Sequence, residues 1–103
     1  THFLMFTDKR LIVFAVFLLA VGCGYREIGP TGYEFAKALY SVCNQKSADR
    51  LDTISAQVVA ASEDDQLNRY EARTLHAIID DAQQGEWETA QRATRALMKA
   101  QVK

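Results

Sequence analysis

Apolar positions fall into two regimes along this chain. From Leu11 to Val21 eleven consecutive side chains (LIVFAVFLLAV) lack any polar atom. Beyond Gly32 apolar residues instead recur at every third or fourth position, the period of one helical face. A first stripe comprises Tyr33, Ala36, Leu39, Tyr40 and Cys43, widened by Phe35 and Val42. Asn44 to Asp49 (NQKSAD) breaks it, with Ser47 or Asp49 able to cap a second helix. Leu51, Ile54, Val58 and Ala61 form a second stripe, reinforced by Val59. Ser62-Glu63-Asp64-Asp65 reads as the next helix start: the Ser62 hydroxyl can accept a backbone N–H three residues on, and three carboxylates suit the positive end of a helix dipole. The third helix then turns Leu67, Tyr70, Thr74, Leu75, Ile78, Ile79 and Ala82 to one side, and Gly85 ends it. A fourth carries Trp87, Ala90, Thr94, Leu97 and Met98 inward, with Arg92, Arg95, Lys99 and Lys103 in its later turns. The pattern predicts an all-α domain over residues 33–103, a small bundle of three to four helices ending in an antiparallel hairpin. Trp87 is expected to be its main core anchor, packed with Leu75, Ile79 and Leu97.

The N-terminal run obeys other rules. A membrane-spanning helix needs about 20 apolar residues, and this run falls short even if stretched to Tyr25. The chain opens on Thr1, with Met5 as the natural alternative start, and Lys9 and Arg10 precede the run as a positive n-region. Residues 1–22 therefore read as a signal peptide with a helical apolar segment. Ala20-Val21-Gly22-Cys23 closes that segment. The tetrapeptide resembles the lipobox of bacterial lipoproteins, with Ala20 where Leu is commonest. The resemblance implies that Cys23 becomes the mature N-terminus and carries a covalent lipid through its thiol, no other cofactor being expected. It also implies export and anchoring in the cell envelope. Gly24, in place of an acidic residue, leans the address toward the outer membrane in a host that has one. Two alternatives stay open: cleavage by ordinary signal peptidase, whose small-x-small rule Ala20-Val21-Gly22 also satisfies, and retention of the run as an uncleaved membrane segment. Gly24 to Gly32 (GYREIGPTG) holds three Gly and the only Pro, so residues 23–32 read as an anchor Cys with a flexible tether. Fully extended, such a tether reaches at most about 30 Å.

Charge narrows the function classes. Past residue 22 the chain holds 10 Lys/Arg and 12 Asp/Glu, a net charge of −2. Nucleic-acid binding usually demands a basic stripe that replaces phosphate counterions, so this class is set aside. His76 is the only His in that part, with Asp80 one turn on. Such a pair could orient a general base or contribute to a metal site, but zinc takes three or four ligands. A boundary His beside a carboxylate is the simpler reading. Cys43 lies on the first apolar stripe and reads as a buried small hydrophobe. Were Cys23 not lipidated, the two cysteines would be a candidate disulfide in an oxidising compartment. No GxSxG, P-loop, CxxC or HExxH occurs, and no catalytic or metal residue is assigned.

Gly85-Glu86-Trp87-x-x-Ala90 resembles the turn inside a tetratricopeptide repeat, where a Gly, an aromatic two later and an Ala five later allow close helix crossing. Bulky Ile78 occupies the small position expected within the first helix, and no second copy of the motif is apparent. The resemblance implies the geometry of one hairpin. The first expectation for function is a non-catalytic envelope lipoprotein whose helices bind another protein or a second copy of the chain. Phe35 and Tyr40 are the candidate interaction surface, because apolar residues cover well over half of helix one. The alternatives are a ligand- or metal-binding domain centred on His76, and a small membrane subunit that keeps Leu11 to Val21 in lipid.

Overall fold

The structure, a computed structural model, describes residues 25–101. These form four helices: α1 (Pro30–Gln45), α2 (Ala48–Glu63), α3 (Arg69–Gln83) and α4 (Trp87–Lys99). No strand occurs among the described residues. Each helix buries the stripe its period marks out. Ala36, Leu39, Val42 and Cys43 come from α1, Leu51, Val58 and Ala61 from α2, Leu75, Ile78, Ile79 and Ala82 from α3, and Ala90, Thr94 and Leu97 from α4. Four short helices cannot hold themselves in water, so this shared core supplies their stability.

The helices close into a ring. α1 packs on α2, α2 on α3, α3 on α4 and α4 back on α1, while α1 and α3 also meet across the middle and α2 and α4 do not touch. The central position of α1 explains its broad apolar surface, which packs on three neighbouring helices.

The second hairpin repeats the first at a spacing of 39 residues. Gly29 and Asn68 are the N-caps of α1 and α3. Lys46 and Gly85 take left-handed φ values at the two hairpin turns. Ala36/Leu75, Leu39/Ile78, Cys43/Ala82, Leu51/Ala90 and Val58/Leu97 are matching buried pairs at the same offset. Exchanging the hairpins maps the set of helix contacts onto itself, with the α1–α3 contact mapping onto itself. The copy escapes the sequence because burial recurs at equivalent positions while side-chain identity does not.

Two expected boundaries are corrected. Ser62 does not cap the third helix; it sits in the last turn of α2, where its hydroxyl donates to the Val58 carbonyl at 2.9 Å. Glu63, Asp64 and Asp65 thus lie at the negative end of a helix dipole. The true start is a capping box: Asn68 Oδ1 accepts from the Glu71 N–H, and Glu71 Oε1 accepts from the Asn68 N–H, both at 2.8 Å. Two donors satisfied reciprocally outweigh one hydroxyl. Leu67, expected within the third helix, is buried just before this cap. The tether is shorter than expected, because Pro30 fits the first turn of a helix and Pro30–Gly32 belong to α1.

Candidate functional site

Residues 25–29 are not helical, yet they are held down as a strap across the bundle. The Arg26 N–H donates to the Tyr70 hydroxyl at 2.8 Å, and the Arg26 guanidinium lies 5.1 Å from the centre of the Tyr70 ring. The Gln101 side chain serves the strap as a neighbouring strand would: Oε1 accepts from the Ile28 N–H at 2.8 Å and Nε2 donates to the Arg26 carbonyl at 3.0 Å. The same Nε2 also donates to the Leu97 carbonyl, which fixes the amide on the end of α4. Glu71 completes the clasp. Its Oε2 accepts from the Gly29 N–H at 2.8 Å while Oε1 serves the capping box. The Glu71 residue is 6% exposed, a buried carboxylate satisfied by two backbone donors at the positive end of α3. Gly32 lies against it, and a Cβ there would stand 2.8 Å from Glu71 Oε2.

Tyr25 and Ile28 pack on the core from the strap. Tyr25 covers an open groove of about 290 Å³ between α3 and α4, with Tyr70, Arg73, Thr74, Asp81 and Ala93 on its walls. Burial raises the Tyr25 phenol above its ordinary value, and the neighbouring Tyr70 and Asp81 push in the same direction. A second groove, of about 390 Å³ and mostly apolar, runs between α1 and α2 past Phe35, Ala38, Ile54 and Gln57.

The structure distributes the predicted residues unevenly. Cys23 and the run Leu11 to Val21 lie outside the described residues. Phe35 and Tyr40 are both half-buried, and Phe35 walls the open α1–α2 groove. Val59 is the one exposed large hydrophobic side chain among the described residues. Gly85 sits at the expected turn with φ +84°, and its N–H and that of Glu86 reach back to Ala82 and Asp81 in a Schellman closure. Trp87 is half-buried at the rim of the core rather than its anchor; Leu39, Leu75, Ile79 and Leu97 are the largest fully buried side chains. A residue in the first turn of α4 stands at the end of the bundle, where it shares a shallow hollow with Lys46 and Gly85.

His76 is half-buried, Asp80 is exposed, and no hydrogen bond joins them among the described residues. No group of three His, Cys, Asp or Glu side chains is placed to hold a metal ion there. Cys43 is a free thiol, 1% exposed, and burial pushes its pKa up, which suppresses the nucleophilic thiolate. No helix among the described residues is long and apolar enough to cross a membrane.

Sequence reasoning missed Glu71 and Gln101. Asn68-x-x-Glu71 before an apolar stripe does carry the capping-box signature. Nothing local marks Gln101, whose strap partner Ile28 is 73 residues away. A scan against protein-family models, a search of curated proteins and a search of solved structures each found no match to this chain.

Proposed function

We propose that this chain is a small envelope lipoprotein, a non-catalytic helical module held at a membrane through Cys23 that binds a protein partner or a second copy of itself. The address rests on the eleven apolar positions running into Ala20-Val21-Gly22-Cys23. The observation that supports binding is the open apolar groove between α1 and α2, walled by Phe35 and Ile54. Both side chains also pack on the core, so the groove floor is rigid and already shaped for an apolar guest.

Two measurements test this. Intact mass of the chain purified from bacterial membranes should match a protein beginning at Cys23 with added lipid, and Cys23→Ser should release it. An unmodified mass, or a start near Met5, overturns the address. In intact cells, Ala38→Glu with Gln57→Glu should place charge in the groove and abolish a cross-linked species without lowering the melting temperature. A cross-linking pattern that is absent from the parent, or unchanged in the double variant, overturns the binding reading.

A further inference from the structure

We infer that the α3–α4 face around Tyr25 lies against the lipid headgroups of the anchoring membrane, with α2 turned away from it. This inference rests on the proposed lipidation of Cys23. Only Gly24 separates Cys23 from Tyr25. Two residues of chain reach about 7 Å at full extension, whereas a free nine-residue tether would allow the domain to tumble. The first fixed point of the bundle is therefore within about one headgroup layer of the anchor, since polar regions add roughly 5–8 Å to each side of the hydrocarbon.

The strap decides which face that is. Tyr25 lies over the groove between α3 and α4, and from there the chain is pinned stepwise to Tyr70, Gln101 and Glu71. An anchor at Cys23 consequently leaves the molecule on the α3–α4 side. α2 contacts α1 and α3 but not α4, which puts it on the far side from the strap's groove.

The chemistry of the near face suits headgroups. Arg73 is exposed at the groove, Arg26 is exposed over the Tyr70 ring, and Arg69 is exposed one turn before Arg73 on the same side of α3, three cations against Asp81 in the groove wall and Glu27 on the strap. Guanidinium groups beside Tyr rings form the pairing that favours an anionic membrane–water interface. The far helix is different: Asp49, Asp52 and Glu63 are all exposed on α2 against a single exposed cation, Arg50.

Photo-cross-linking in native membranes tests the orientation on the full chain. A benzophenone amino acid replaces Arg73 in one variant and Asp52 in another, and intact mass reports both the Cys23 lipid and any adduct. The expected result is several-fold more phospholipid adduct at position 73 than at position 52. Inserting about ten Gly/Ser residues after Gly24, a flexible coil, should erase the difference. Lipid on Cys23 with equal adducts at the two positions, or with protein rather than phospholipid captured at position 73, overturns the orientation and leaves lipidation standing. Absence of lipid on Cys23 overturns both.

Discussion

Glu71 uses each oxygen for a different purpose, one to cap α3 and one to hold Gly29 of the strap. A carboxylate can accept on both sides, whereas an amide offers one acceptor and turns an NH2 toward the remaining N–H. Glu71→Gln should therefore cost about 1–3 kcal/mol, the range for a buried donor left without a partner. In a domain this small that lowers the melting temperature by about 4–8 °C per kcal/mol. Gly32→Ala should destabilise by a similar amount, because its Cβ would press on an oxygen already fixed by two hydrogen bonds. Since both changes act on one clasp, the double variant should lose less than the sum. A thermal-melt double-mutant cycle measures this, and strict additivity would contradict the shared clasp. Cys43 predicts a pH dependence of the opposite kind to a carboxylate. Burial lets the folded state keep its thiol proton to higher pH than the unfolded chain does. Its contribution is complete below the ordinary thiol value of 9.0 and is lost as pH rises through the elevated folded value. Urea midpoints should fall as pH rises past 9.0, and Cys43→Ala should flatten part of that fall. Iodoacetamide should label Cys43 only as fast as the core opens.

At the level of helices, all three turns close in the same way. Ser47 N–H reaches Val42, Gln66 N–H reaches Ala61, and Glu86 N–H reaches Asp81, each the long bond of a Schellman closure. The left-handed residues are Lys46, Asp65 and Gly85. Only the third is the residue type that marks such a turn; the first was placed instead by the polar break at Asn44 to Asp49, within which Ser47 caps α2, and the second was missed. Non-Gly residues pay about 1–2 kcal/mol in this conformation. Asp65 is additionally an anion at a helix C-terminus, whereas Lys46 is a cation at one. Asp65→Gly should thus stabilise by about 1 kcal/mol or more, and Lys46→Gly by less, because it gives up a favourable charge. Asp65→Asn should capture part of the gain, and that part should shrink as salt is added. Equal gains at the two positions would show that the dipole contributes nothing here. The buried stripes were legible because helical period directly reports which side faces the core. Ser62 misled because an acidic run resembles a first turn wherever it stands, and Asn68-x-x-Glu71 lay six positions beyond it. The groove around Tyr25 was not legible at all: its members come from the strap, α3 and α4, and no local pattern joins them.

On the scale of the molecule, the strap ties residues 25–29 to the end of α4, so that the first and last described segments support each other. Gln101 is the link, through three hydrogen bonds to Arg26, Ile28 and Leu97. Gln101→Ala should release the strap while sparing the core residues, whose packing does not involve it. Amide exchange at Ile28 and Gly29 should then accelerate strongly, with exchange at Leu39 and Leu75 little altered, as expected for local rather than global opening. A uniform rise at all four amides would mean that the strap is part of the cooperative unit. Because Arg26 and Ile28 bond directly to Gln101, the described part of the chain, residues 25–101, is already almost a circle, interrupted at one point. Joining residue 101 to residue 25 through a short linker, and cutting the chain instead between Lys46 and Ser47, would leave every helix and the ring of helix contacts unchanged. Such a circular permutant should fold with nearly parental stability, since cuts at surface turns and rejoined neighbouring ends are tolerated. Its new ends would emerge at the pole shared by Lys46, Gly85 and Trp87. Where a chain begins is thus a removable property of this architecture, and so is the side from which it can be held.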